Sequence, residues 1–168
     1  MEKIQKTNAA RLLDRAHITY RLIPYEVDES NLAATHVAES LGEDIGRVFK
    51  TIVLRGDRTG YFVCVVPGDA EIDLKKAAKA IADKKAELIH MKDLLPLTGY
   101  IRGGCSPIGM KKAFPTIFHT TALDHSAIYV SAGQRGLQFE IAPADLIAFT
   151  HGITADVIKS NDEETEQL

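Results

Sequence analysis

The sequence predicts a single α+β or mixed α/β domain built around a curved, largely antiparallel sheet. Its 168 residues are 45% hydrophobic and 26% charged, which suits one domain with its own core. Apolar runs of strand length are interspersed with short amphipathic segments, without a regular βαβ rhythm. A doubly wound nucleotide-binding fold is disfavoured, because the chain has neither a GxGxxG motif after a strand nor a GxxxxGK(S/T) motif.

The predicted elements follow from the spacing of apolar residues. Helical spacing predicts helices at residues 7–16, 32–41 and 74–82, one helical turn at 92–95, and a short helix that starts with Pro143. Apolar runs predict strands at residues 20–25, 49–55, 61–66, 87–90, 116–120, 127–132 and 137–141.

Capping and turn residues set several of these boundaries. Thr7 and Asp73 precede two of the helices as N-caps, and Gly42 follows the second helix. Pro24 places the first strand at a sheet edge, because proline cannot donate to a ladder. Pro96 is expected to end the single helical turn that precedes it.

The domain is expected to span residues 1–159, and the acidic, polar residues 160–168 are predicted to be a disordered tail. Cys64 and Cys105 have no metal-binding spacing, so we expect two reduced thiols, no metal site and no cofactor. No apolar run is long enough to span a bilayer, and the N-terminus lacks the apolar region of a signal peptide. These features predict a cytoplasmic protein.

Charge is distributed unevenly along the chain. The net charge is −3, yet residues 47–112 contain 13 Lys/Arg and 7 Asp/Glu. The rest of the chain is therefore acidic, which favours a polyanionic partner that approaches one basic face. The simpler alternative is that the lysines of residues 75–85 only solvate a helix.

Lys50 is the most informative single residue. It lies within a run, Val48–Leu54, that otherwise predicts a buried strand, and it shares a strand face with Ile52 and Leu54. An ammonium group on an apolar face is costly unless it is paired or its pKa falls. The run therefore indicates a functional lysine, a lysine that guards an edge strand, or a lysine with a structural carboxylate partner.

Residues 103–109 (GGCSPIG) form the second unusual segment. Their three glycines allow a ligand to approach the main chain, and converging N–H groups there can hold a carbonyl oxygen or a phosphate. An ordinary tight loop is the alternative. Cys105 also raises the hypothesis of a thiol nucleophile, which would need a histidine as its base.

Four segments together resemble the YbaK/EbsC family of free-standing aminoacyl-tRNA deacylases, which are related to the editing insertion of bacterial prolyl-tRNA synthetases. The resemblance runs from about residue 6 to about residue 158 and implies a mixed α/β domain with a partly barrel-like sheet flanked by short helices. The segments are residues 48–53 (VFKTIV), 66–68 (VPG), 103–109 (GGCSPIG) and 131–138 (SAGQRGLQ).

The resemblance implies a catalytic role for Lys50 beside the aminoacyl ester, a glycine loop whose amides face that ester, and a pocket wall from the SAG turn. The substrate-binding residues that it implies are Tyr20, Thr51, Gly103, Gly104, Ser106, Pro107, Gly109, Ser131 and Gly133.

The YbaK type implies deacylation of Cys-tRNA(Pro), in which the thiol of the bound cysteine attacks its own ester. Water attack in the same pocket is the second mechanism. The implied partners are the tRNA acceptor end and prolyl-tRNA synthetase in a transient complex, with no membrane involved. The alternatives are a sister deacylase for Ala-tRNA(Pro) or another mischarged tRNA, a non-catalytic module that binds the aminoacyl-tRNA 3′ end, and a thiol enzyme that uses Cys105.

Overall fold

The computed structural model describes residues 4–160, so residues 161–168 of the predicted tail lie outside the described residues. No helix within this range is long and apolar enough to cross a membrane. The helices are α1 (Asn8–Arg15), α2 (Ala34–Leu41), α3 (Leu74–Ala80), α4 (Leu94–Thr98) and α5 (Pro143–Thr150). The strands are β1 (Tyr20–Pro24), β2 (Phe49–Gly56), β3 (Gly60–Pro67), β4 (Ala86–Leu88), β5 (Thr116–His119), β6 (Ile128–Gln134), β7 (Leu137–Ile141) and β8 (Ile153–Ala155).

These strands form two sheets, whereas the sequence predicted one curved sheet. The smaller sheet has the order β1-β7-β6 with antiparallel pairings. The larger has the order β4-β2-β3-β5-β8, and β5 pairs in parallel with both of its neighbours. One parallel bridge, between Val48 and Tyr129, links the sheets. The mixed α/β class is confirmed, and the barrel-like curvature stays a prediction.

The hairpin of β2 and β3 is the framework that carries Lys50. Its register runs without interruption from the pair Phe49–Pro67 to the pair Gly56–Gly60. Asp83 fastens the turn by accepting hydrogen bonds from the backbone N–H groups of Arg58 and Thr59, each at 2.9 Å. A continuous ladder with a fastened turn makes β2 a rigid support for the residues along its other edge.

Three apolar clusters surround the larger sheet. The first lies between the two sheets, includes Phe118 and Phe139, and is covered by α1. The second lies on the opposite face of the larger sheet, beneath α3. The third packs α2 against Val48 and Tyr129, beside the bridge between the sheets. The clusters therefore fix α2 and the start of β2 relative to β6.

Three details differ from the sequence prediction. The helix α2 begins at Ala34 because Ala33 is extended, with φ −60° and ψ 144°. Pro96 lies inside α4 as its third residue, where the missing N–H would have no intrahelical partner. The strand β8 was not predicted, since it has three residues and, within the described part of the chain, pairs only with β5, which is distant in sequence.

Candidate active site

A cavity of about 450 Å³ lies where β2 and β6 diverge. Beyond the bridge of Val48 and Tyr129, no strand of the described residues 4–160 pairs with β2 on that side until β4 does so at Leu54. Residues 50–53 of β2 all line the cavity. Consecutive residues of a strand point to opposite faces, so the cavity lies against the edge of β2.

Lys50 is half-buried at this edge. Among residues 4–160, its ammonium group has neither a hydrogen bond nor an ion pair. Desolvation lowers the pKa of Lys50, while the more distant charges of Asp69 and Glu71 act in the opposite direction. Of the two outcomes that the sequence allowed, a paired lysine or a lowered pKa, the second therefore applies. An unpaired cation in a largely apolar cavity is available to a ligand.

The N-terminus of α2 forms another wall of the cavity, which sequence reasoning did not identify. Ala33 and Ala34 line it, and Ala33 caps the helix without a side-chain hydrogen bond. Gly68, at the end of the β2–β3 hairpin, allows this approach, because a Cβ atom there would lie 2.4 Å from the Cβ of Ala34. The uncapped helix start adds its positive partial charge to that of Lys50.

The glycine loop closes the cavity on the side of the β6–β7 turn. Gly103 lines the cavity and has φ +85°, a conformation that favours glycine. A Cβ atom on Gly104 would lie 3.1 Å from the backbone of Gln134 and Arg135, so the loop packs directly on that turn. The Arg135 side chain donates from Nε to the Arg102 carbonyl at 2.9 Å. These contacts hold the loop in place.

The remaining predicted loop residues lie behind the cavity wall. Ser106 is fully buried, and its Oγ accepts a hydrogen bond from the Ile108 N–H at 3.3 Å. Tyr100 lies against both Gly109 and Gly133. A Cβ atom added to Gly109 would lie 2.8 Å from the Tyr100 hydroxyl, and one added to Gly133 would lie 3.2 Å from the Tyr100 ring. Within the cavity lining, Gly104, Ser106, Pro107, Gly109 and Gly133 are absent. Their substrate-binding role stays a prediction.

Tyr20 lies away from the cavity. Its hydroxyl donates to Asp14 at 2.8 Å, and its ring packs edge-to-face on Phe139 with the centroids 5.2 Å apart. Its side chain joins α1 to the smaller sheet and does not belong to the cavity lining. The pocket-wall role that the resemblance implies for Tyr20 therefore stays a prediction.

Cys105 lines the cavity, but its surroundings do not activate a thiol. Burial raises the pKa of Cys105 to about 12. No His, Asp or Glu belongs to the cavity lining among residues 4–160, so no side-chain base stands beside the thiol. The same range holds no group of three or more His, Cys, Asp or Glu that could bind a metal ion. The thiol-enzyme hypothesis has no support in this geometry.

Three neutral polar residues complete the lining: Thr51, Ser131 and Gln138. Ser131 and Gln138 are Cα partners across β6 and β7. The Ser131 Oγ accepts a hydrogen bond from the Gly133 N–H at 3.2 Å. The Thr51 Oγ1 and Gln138 Oε1 atoms are buried without a partner among the described residues. Sequence reasoning missed Gln138, although it lies in the SAGQRGLQ segment on the strand face of Ser131.

This arrangement is suited to binding and polarising an ester. It offers the unpaired ammonium of Lys50, the exposed guanidinium of Arg102, an uncapped helix start and a few neutral polar groups in a largely apolar cavity. Such groups can orient a substrate and stabilise negative charge on an oxygen atom. Among residues 4–160, the lining offers no carboxylate or imidazole that could act as a general base.

Comparison with known proteins identifies the family. A family model for the aminoacyl-tRNA editing domain matches residues 29–149. An Enterococcus faecalis protein named "Putative Cys-tRNA(Pro)/Cys-tRNA(Cys) deacylase EbsC" is 52% identical over 153 residues, which are 91% of this chain and 93% of that protein. The resemblance to the YbaK/EbsC family is thereby confirmed.

Two further comparisons concern prolyl-tRNA synthetase. A solved structure described as a "putative trans-editing enzyme for prolyl tRNA synthetase" shares the fold, with a TM-score of 0.77, 22% identity, and coverage of 93% of this chain and 100% of that one. A proline–tRNA ligase of Fervidobacterium nodosum is 33% identical over 78 residues, which are 46% of this chain and 13% of the ligase. The family model covers well over half of this chain, so the chain belongs to the aminoacyl-tRNA editing domain family.

Proposed function

We propose that this protein is a trans-editing deacylase that releases cysteine mischarged on proline tRNA. The observation that carries the proposal is an unpaired lysine, Lys50, in the cavity of an editing domain. The name of the Enterococcus faecalis relative, which specifies Cys-tRNA(Pro) and Cys-tRNA(Cys), supports the choice of cysteine. The reaction belongs in the cytoplasm, where tRNA is charged.

In this mechanism Lys50 stabilises the negative charge that develops at the ester. The aminoacyl ester is already activated, so the protein has to orient it and stabilise an oxyanion. The ammonium group of Lys50 can approach the carbonyl oxygen or the ribose 3′-oxygen without first breaking a protein ion pair. Its interaction with either oxygen is stronger in the desolvated cavity than in water.

The nucleophile in the proposed mechanism is the thiol of the substrate. Its sulfur forms a bond to the carbonyl carbon of its own ester, and the bond between that carbon and the ribose oxygen breaks. The thiol proton passes to the departing ribose oxygen, which leaves free tRNA and a cyclic thioester of cysteine. This route needs no base from the protein and explains why Cys105 can stay protonated.

Substrate-thiol attack also explains selectivity. A pocket distinguishes ligands that differ by one small substituent by only about 1–3 kcal/mol. Alanine and proline esters lack the thiol, so they survive even when they enter the cavity. Specificity is then a matter of chemistry and does not need a tight fit.

The acceptor end of tRNA enters, in this proposal, past Arg102, which lines the cavity and is exposed. Phosphate groups attract such arginines. The chain has no separate tRNA-binding module among its described elements, so we propose that prolyl-tRNA synthetase selects the tRNA in a transient complex.

Deacylation assays with four esters on proline tRNA, those of cysteine, serine, alanine and proline, test the proposal. Deacylation of the cysteine ester alone is expected, because serine matches cysteine in size but has a poorer nucleophile. Equal hydrolysis of the serine and alanine esters would instead indicate water attack and a sister deacylase. The absence of any turnover would favour a module that only binds the 3′ end.

A further inference from the structure

Three polar side chains of the cavity have hydrogen-bonding capacity that the folded protein does not use. Gln138 is 5% exposed, and its Oε1 has no partner among residues 4–160. The Thr51 Oγ1 is also buried and has no hydrogen-bond partner among these residues. The Ser131 Oγ accepts one hydrogen bond, from the Gly133 N–H, and keeps a second lone pair and its own proton.

Buried polar atoms in proteins are almost always hydrogen-bonded, so unpartnered ones on residues that line a cavity are candidates to bind a ligand group or an ordered water. Two of these three residues, Ser131 and Gln138, are cross-strand neighbours, and Thr51 lies on the facing edge of β2. Each can contribute an acceptor oxygen. The set therefore fits a ligand group that has several N–H donors.

We propose that Thr51, Ser131 and Gln138 bind the α-amino group of the aminoacyl ester and read it as a primary amine. This inference rests on the proposed function, which supplies the ester. The carbonyl oxygen of that ester only accepts hydrogen bonds, and a ribose hydroxyl donates at most one. Its α-amino group, in contrast, carries several N–H donors. With the oxygens directed to Lys50, the amine is left for the three neutral side chains.

Proline would be rejected at this site for a physical reason. Its ring nitrogen is a secondary amine, so it carries one N–H fewer and has a ring carbon in that position. Placing this carbon against a buried oxygen leaves the oxygen unpaired. Sites built to hydrogen-bond a substrate N–H discriminate strongly against analogues that lack it. The correctly charged Pro-tRNA(Pro) would thus be spared at the binding step as well as at the chemical step.

The test measures binding without turnover. Calorimetry would compare three stable 3′-amide analogues of aminoacyl-adenosine: the alanyl form, its N-acetyl derivative and the prolyl form. The wild type is expected to bind the alanyl form about tenfold or more tightly than the other two. In Gln138→Met and Thr51→Val this preference should fall to about threefold or less.

Matched controls separate the amine site from general damage. Gln134→Met alters an exposed glutamine of the same hairpin, and Thr121→Val removes another buried, unpartnered hydroxyl that does not line the cavity. Both should keep the wild-type preference. Thr51→Val should not lower the melting temperature, because it removes an unsatisfied hydroxyl and nearly preserves shape.

The outcomes also separate this inference from the proposed function. Equal binding of the alanyl and N-acetyl analogues by the wild type, or an unchanged preference in both cavity variants, would overturn the amine site even if the cysteine ester is deacylated. If the wild type prefers the alanyl analogue, the two cavity variants lose that preference and no ester is deacylated, the amine site would stand and the proposed deacylase function would be refuted.

Discussion

Val48 and Tyr129 form a parallel bridge, and the cavity begins directly beyond it. Two residues further along the two strands come Lys50 and Ser131, which both line the cavity. If the parallel ladder continued, these two residues would be strand neighbours and no ligand would fit between them. The Tyr129 hydroxyl lies within hydrogen-bonding distance of Glu43 and Glu140, which holds the point of divergence in place.

Replacing Gly68 should disturb both stability and activity. In Gly68→Ala the new Cβ would lie 2.4 Å from the Ala34 Cβ and 3.0 Å from the Ile45 Cδ1, so the start of α2 has to move. Overpacking of this kind costs about 1–3 kcal/mol, which corresponds to a decrease of several degrees in melting temperature. Thermal denaturation and deacylation assays would measure the two effects.

Gly46→Ala is the matched control for that substitution, because its Cβ would make only an ordinary 3.5 Å contact with Asp44. Its melting temperature and activity should stay near those of the wild type. A Gly68→Ala protein with wild-type stability and activity would show that the close approach of α2 does not shape the cavity.

Cys105→Ala should retain most of the deacylase activity. Burial raises the pKa of the thiol to about 12, so the reactive thiolate is scarce at pH 7. We expect kcat/KM within about threefold of the wild type and slow labelling by iodoacetamide near neutral pH. Rapid labelling accompanied by loss of activity would contradict this and revive the thiol-enzyme hypothesis.

His119 should make the protein less stable in mild acid. Its imidazole is buried, and Nδ1 accepts a hydrogen bond from the Val157 N–H at 3.3 Å, which needs the neutral ring. Desolvation lowers the pKa of His119 from its ordinary 6.5, with Lys76 acting in the same direction and Asp156 and Asp124 opposing. The unfolded chain therefore binds this proton more readily than the folded one.

Because the unfolded chain binds the proton more readily, stability should fall as the pH is lowered. The contribution of His119 to the free energy of unfolding is fully present above pH 6.5 and decreases as the pH falls from there toward the lowered folded-state pKa. Melting temperatures between pH 7.5 and 5.5 should decrease more steeply for the wild type than for His119→Asn. His90→Asn, at an exposed position, should behave like the wild type. Equal slopes for the wild type and His119→Asn would refute the prediction.

Much of the local structure could be predicted from the sequence. Thr7 and Asp73 cap their helices through side-chain hydrogen bonds, and Gly42 ends α2 in the left-handed conformation, as expected from residue type. The hairpin of β2 and β3 was predicted to within about a residue at each end, because its turn and its apolar runs are local signals. Lys50 stood out because it interrupts an apolar run.

What the sequence did not reveal depends on pairing between distant segments. The division into two sheets follows from where β2 and β6 separate, and no local pattern marks that point. Gln138 resembles an ordinary strand residue until the fold places it in the cavity lining beside Ser131. Tyr20 was assigned to the cavity by resemblance alone, and its position depends on packing between α1 and β7.

The most direct test of the account measures deacylation of Cys-tRNA(Pro) by Lys50→Ala beside the wild type and Lys75→Ala, which removes an exposed lysine of α3. Loss of one group that stabilises an oxyanion typically reduces kcat on the order of 10²–10³-fold, and we expect a decrease of this size for Lys50→Ala with an unchanged melting temperature. Lys75→Ala should retain wild-type turnover. Wild-type turnover by Lys50→Ala would contradict the central claim that the cavity acts through this lysine.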